Sequence, residues 1–159
     1  MEIRENIKLI SPEQGMEQLL ELLEETREIP LVITGGSMTP FLVPGRDTVY
    51  LSKPEDPLRR GDIVFYRRDN GGFVLHRILR IESEGFTMLG DAQTIPEPGI
   101  RPDQIRAVAT AVRRKGKLLR KGSFWWEFFR VIWLRMVPLR LPVRKVYETI
   151  KNEKSRKKV

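Results

Sequence analysis

"DIVFYRRDNGGFVLHRILRIE", Asp62 to Glu82, decides the fold. Two runs rich in Val, Ile, Leu, Phe and Tyr flank Asp69-Asn70-Gly71-Gly72, and Asn and Gly accept the positive φ that a tight hairpin turn demands. On either side, "PLVIT", "TVYLS", "GFTML" and "QIRAVATAV" are further short β-rich runs, separated by Gly, Pro, Asp and Asn. No helical pattern alternates with them, which argues against parallel βαβ units. Residues 30–122 are therefore expected to form a mainly β domain, a small curled antiparallel sheet or partial barrel. A helical segment, 1–29, precedes it and a second segment, 123–159, follows it.

In the first segment, Ser11 can cap a helix, Pro12 suits its first position and Gln14 can return the capping hydrogen bond. Met16, Leu19, Leu20 and Leu23 then recur at helical spacing, which predicts an amphipathic helix over 12–27. After Gly122, the residues Trp125, Trp126, Phe128, Phe129, Ile132, Trp133 and Met136 cover most of a helical wheel, with Glu127, Arg130 and Arg135 on one flank. Pro138 and Pro142 are expected to break this helix, leaving a solvated basic tail.

At 159 residues, with 40% hydrophobic and 31% charged content, the chain suits one folded globular domain with a short appendage. The absence of cysteine excludes a disulfide, a thiolate zinc site and a cysteine nucleophile, and no metal or cofactor is expected. Charge is unevenly spread. Residues 1–112 hold 13 Lys/Arg against 18 Asp/Glu, whereas residues 113–159 hold 16 against 3. A broad Trp/Phe face beside Arg and a Lys/Arg tail suits a peripheral membrane surface, bound through 123–159. The other reading packs the aromatics on the body or on a second subunit, and the oligomeric state stays open. Nucleic acid is disfavoured, because the bulky apolar residues are continuous rather than interleaved with the basic ones. No signal peptide or ordinary transmembrane helix is expected, since no apolar run is long enough. A peripheral, membrane-associated location follows, with a cytoplasmic body as one option.

The candidate chemistry lies in "TGGSMTPFLVPGRD", Thr34 to Asp47. Ser37 there reads either as an ordinary turn serine or as a nucleophile held clear by the glycines. A serine needs a base, and His76 is the only histidine in the chain. By itself His76, in line with Val74 and Ile78, reads equally as a core residue. Asp91, in "TMLGDAQTIPEPG", is either a plain Gly-Asp turn or a carboxylate that orients an imidazole. Met38, Phe41 and Leu42 read as core, or as a shallow apolar wall for an extended substrate.

"GGSMTPFL", "RRGDIVFYRR", "VLHRI" and "LGDAQ" together resemble the signature boxes of the S24/S26 serine peptidases, which include type I signal peptidases and the self-cleaving domains of SOS-type repressors. The resemblance covers about residues 30–113, with the boxes in the family's order. It implies the fold of those peptidase domains, Ser37 as nucleophile, and either lysine or histidine as base. No lysine lies between Lys53 and Lys115, so the resemblance selects the Ser–His type with His76 as base. It further implies Asp91 as the acid that orients His76, and offers Glu97 as counterpart of a second downstream acid. Asp62 matches a box of structural character. Backbone N–H groups around Gly36 and Ser37 would bind the oxyanion. Gly35 stands where signal peptidases often have a serine, so that hydroxyl donor is missing or is replaced by Thr34.

The expected function is a serine endopeptidase of the signal-peptidase type, cutting extended segments of other polypeptides, with a small-residue preference implied by the resemblance. The alternative is a repressor-like module of the same fold that cleaves itself, or a non-catalytic binding module. Against a repressor, 29 residues holding one helix leave no room for a helix-turn-helix. Against a binding module stands the joint presence of Ser37, His76 and Asp91.

Overall fold

The structure, a computed structural model, describes residues 12–156. Eight strands form one sheet: β1 (Ile29–Val32), β2 (Thr48–Ser52), β3 (Ile63–Arg67), β4 (Phe73–Glu82), β5 (Gly85–Leu89), β6 (Glu97–Ile100), β7 (Ile105–Arg114) and β8 (Lys117–Arg120). Their order is β1-β2-β7-β3-β4-β5-β6, with β8 also on β7, and every pairing is antiparallel. The expected hairpin joins β3 to β4. Arg67 faces Phe73 across it, the Arg68 amide donates to the Gly72 carbonyl at 2.8 Å, and Gly71 takes φ +88°. Strand β6, "EPGI", carries no β-rich signal. It lies at the sheet edge, where the missing N–H of Pro98 leaves no partner wanting.

Strict alternation along β3 divides the interior in two. Ile63 and Phe65 join Val49, Leu51, Ala107 and Ala109 in the larger cluster. Val64 and Tyr66 face the other way, with Ile78, Met88, Ile100 and Val108. Helix α1 (Pro12–Glu21), continued by a 3₁₀ turn Leu22–Glu24, stops short of the expected residue 27 and adds Leu20 and Leu23 to the larger cluster. Ion pairs from Glu17 to Arg67 and Arg106 tie it to the sheet. The expected Ser11 cap lies outside the described residues, as does the Gln14 side chain.

The C-terminal segment departs most from expectation. Helix α2 (Phe124–Glu127) runs into a π-helical stretch, Phe128–Trp133, which turns Trp126, Phe129 and Trp133 into the larger cluster. The Phe41 ring lies 5.9 Å from Trp126 and 4.8 Å from Phe129. Each such aromatic removes enough apolar surface from water to stabilise the fold by about 2–3 kcal/mol. These residues complete the core of the body, whereas Phe124, Trp125 and Ile132 stay exposed. Pro138 does interrupt the helix, at a 3₁₀ turn Val137–Leu139. Pro142 does not: it sits in the first turn of α3 (Arg140–Arg156), where no intrahelical N–H bond is required. No helix among the described residues is long and apolar enough to cross a membrane.

Candidate active site

A cleft of about 420 Å³ opens between the end of edge strand β1, the Ser37 loop and the first half of β4. Ser37 and His76 both line it, together with Met38, Thr34, Gly35 and Gln93, and Met16 of α1 closes one side. A more polar cleft of about 470 Å³ holds Asp62, Lys121, Glu127 and Arg130, but these charges pair with one another and the histidine is elsewhere.

The Ser37 loop follows β1 and is held from below by the "LGDAQ" turn. The Ala92 amide donates to the Ser37 carbonyl at 2.9 Å. A Cβ on Gly90 would lie 2.6 Å from that same oxygen, so only glycine permits the approach. The Gln93 side chain accepts from the Gly90 amide at 3.0 Å and keeps this turn closed. Gly35 and Gly36 differ: nothing lies within 4 Å of a Cβ at either, so their side of the loop is open to an incoming chain. The same finding means that a serine at position 35 would meet no crowding.

His76 is buried in β4, and burial pushes its imidazole down to about 4, with Glu97 pulling upward and Arg68 adding to the fall. The ring is therefore neutral at neutral pH, as a proton acceptor must be. Its Nδ1 lies 3.1 Å from the Tyr66 hydroxyl and 3.9 Å from Glu97 Oε2. Tyr66 donates to Glu97 at 2.7 Å, and Arg68 grips both Glu97 oxygens at 2.7 Å. Tyr66 lies on β3 and Glu97 on β6, with β4 and β5 between them in the sheet order, so the sheet must curl to bring them together. Nothing in the local pattern of "DIVFYRR" signals that Tyr66 belongs to the site.

Asp91 does not orient His76. Arg77 Nε donates to its two carboxylate oxygens at 2.8 and 3.1 Å, and both side chains are fully buried. Arg77 follows His76 in the strand, so alternation sends the two side chains to opposite faces, and the carboxylate held by Arg77 lies on the far side from the imidazole. Burial pushes the Asp91 carboxyl up, against the downward pull of Arg77 and Arg140. The backbone on either side is held just as firmly. Trp133 Nε1 donates to the Asp91 carbonyl at 2.9 Å, and Arg140 donates to the carbonyls of Gly90 and Gln93. Asp91 thus supports the seat of Ser37, while Glu97 is the acid beside His76.

Of the two readings of Met38, Phe41 and Leu42, the structure takes core. All three are buried in the larger cluster, Met38 alone also touching the cleft, and the Phe41 ring carries the Arg77 guanidinium 4.9 Å from its centroid. Asp62 keeps the structural role expected of it, accepting from the Arg59 amide at 2.9 Å where the chain turns into β3.

Fold and site together define a mainly β protein whose single histidine and loop serine share one cleft. Compared with known proteins, the chain matches no family model and no curated protein.

Proposed function

We propose that the chain is a serine endopeptidase of the signal-peptidase type, which cuts extended segments of other polypeptides. The observation that carries this reading is that Ser37 and the only histidine of the chain line the same cleft, one from a loop and one from a strand. His76 takes the hydroxyl proton as Ser37 Oγ attacks a peptide carbonyl, and returns it to the departing amine. Water then releases the acyl group by the same route in reverse. Backbone N–H groups around Gly36 and Ser37 stabilise the oxyanion, a contribution of about 3 kcal/mol per donor in such sites. Edge strand β1 brings Leu31 and the exposed Val32 to the cleft, an edge beside which an extended chain fits.

The test is hydrolysis of internally quenched peptides with alanine before the scissile bond, followed against pH. Activity should hold from neutrality to about pH 5, because the base charges only near pH 4. It should vanish in Ser37→Ala and in His76→Ala while the β circular-dichroism spectrum persists. Equal turnover by Ser37→Ala and the unaltered chain would end the reading.

Contact with an anionic membrane surface belongs to the same reading, but α3 supports it better than the aromatic segment does. Val143, Val146 and Ile150 of α3 are exposed at spacings of one helical face, within the strongly basic 113–159 region.

A further inference from the structure

We propose that Glu97, acting through the Tyr66 hydroxyl, decides which nitrogen of His76 carries the proton and leaves Nε2 free as the base. This rests on the peptidase reading for its use in catalysis, but the placement of the proton follows from the hydrogen bonds alone.

Arg68 can only donate. Its two bonds to Glu97, helped by the Tyr66 hydroxyl and opposed by burial, hold the carboxyl below its ordinary range. Glu97 is therefore an acceptor with no proton to give. Tyr66 has one proton. Burial, and then Glu97, push its ionisation well above the usual range, so the hydroxyl keeps that proton. With Glu97 Oε2 at 2.7 Å, the proton points to the carboxylate, and the tyrosine oxygen faces His76 Nδ1 as an acceptor at 3.1 Å. Nδ1 must then be the donor of that bond. A neutral imidazole has a single N–H, so Nε2 is left as a bare lone pair.

This is the arrangement a triad acid imposes directly, reached here through an intervening hydroxyl. The groups that act on the imidazole come from three places: Tyr66 from β3, Glu97 from β6, and Arg68 from the turn after β3. Glu97 and Tyr66 are positioning residues, since neither lines the cleft that holds Ser37.

Because the chain has one histidine, its tautomer can be read without assignment. The full chain is labelled with ¹⁵N-histidine, and long-range ¹H–¹⁵N correlations are recorded near pH 7. The unaltered chain should show Nδ1 protonated and Nε2 bare. In Glu97→Gln, Arg68 holds the amide oxygen, so the amide N–H turns to Tyr66 and the tyrosine proton is redirected to Nδ1. The imidazole proton should then move to Nε2. Glu97→Ala, which frees the tyrosine proton altogether, should give the same reversal. In both variants, covalent labelling of Ser37 by a fluorophosphonate probe should slow by about 100-fold, the loss of a correctly poised base. Finding Nε2 protonated in the unaltered chain, or Nδ1 still protonated in both variants, would overturn the proposal. Reversal of the tautomer with Ser37 inert to the probe in every form would support the proton placement and overturn the peptidase reading.

Discussion

Replacing Asp91 by asparagine should unfold this protein more readily than it disables any chemistry. The substitution keeps the volume but removes a fully buried carboxylate that faces two buried guanidinium groups. Arg77 would keep the Gly61 carbonyl at 3.0 Å and at most one neutral amide oxygen in place of the carboxylate, and its Nη2 already has no partner among the described residues. Arg140, whose charge burial already disfavours and Asp91 favours, would lose the same support. Removing one member of a fully buried pair leaves an uncompensated charge and costs about 3–5 kcal/mol. That is a large share of a total stability of about 5–15 kcal/mol, and for a chain of this size it lowers the melting midpoint by on the order of 10 °C. Urea unfolding followed by tryptophan fluorescence suits the measurement, because Trp133 donates to the Asp91 backbone and reports on this contact. The double variant Asp91→Leu with Arg77→Met removes both charges of the pair and should recover the part of the loss that Arg77 carries, Arg140 remaining, which gives a coupling energy between the two sites. If Asp91→Asn stayed within about 1 kcal/mol of the unaltered chain while abolishing peptide cleavage, the ion-pair account would be wrong and a direct catalytic role restored.

Two further outcomes are expected. Gly90→Ala forces a Cβ to within 2.6 Å of the Ser37 carbonyl, so the Ser37 loop must shift. Cleavage should fall by about 100-fold for a displacement near 1 Å, and an alanine variant of full activity would show that this seat does not position Ser37. For the membrane contact, flotation with anionic vesicles should carry the full chain and fail for Val143→Asp combined with Val146→Asp. Equal flotation of both would remove α3 as the contact.

The alternating β-rich runs and the Asn-Gly turn were enough to set a curled antiparallel sheet, because backbone periodicity and turn chemistry are local properties. Ser37 and His76, which the fold brings to one cleft, were singled out for another reason: the boxes around them resemble those of a peptidase family, and a chain with one histidine leaves no choice of imidazole. The burial of Trp126, Phe129 and Trp133 was not legible. A helical wheel shows which residues share a face but not what covers that face, and here Phe41 and the sheet cover it. Pro142 misled for a similar reason, since a proline breaks a helix or opens one according to where the helix restarts.

The roles of the two acids separate what each level decides. From sequence, Asp91 and Glu97 are both carboxylates downstream of the histidine, and motif order favours the first. Only the tertiary structure distinguishes them. A step of one residue along β4 sends Arg77 and its partner Asp91 to one face and His76 to the other. The curl of the sheet carries Glu97 across two strands to within reach of Tyr66. Periodicity along a strand is written in the chain, whereas closure between distant strands depends on the summed twist and packing of all of them.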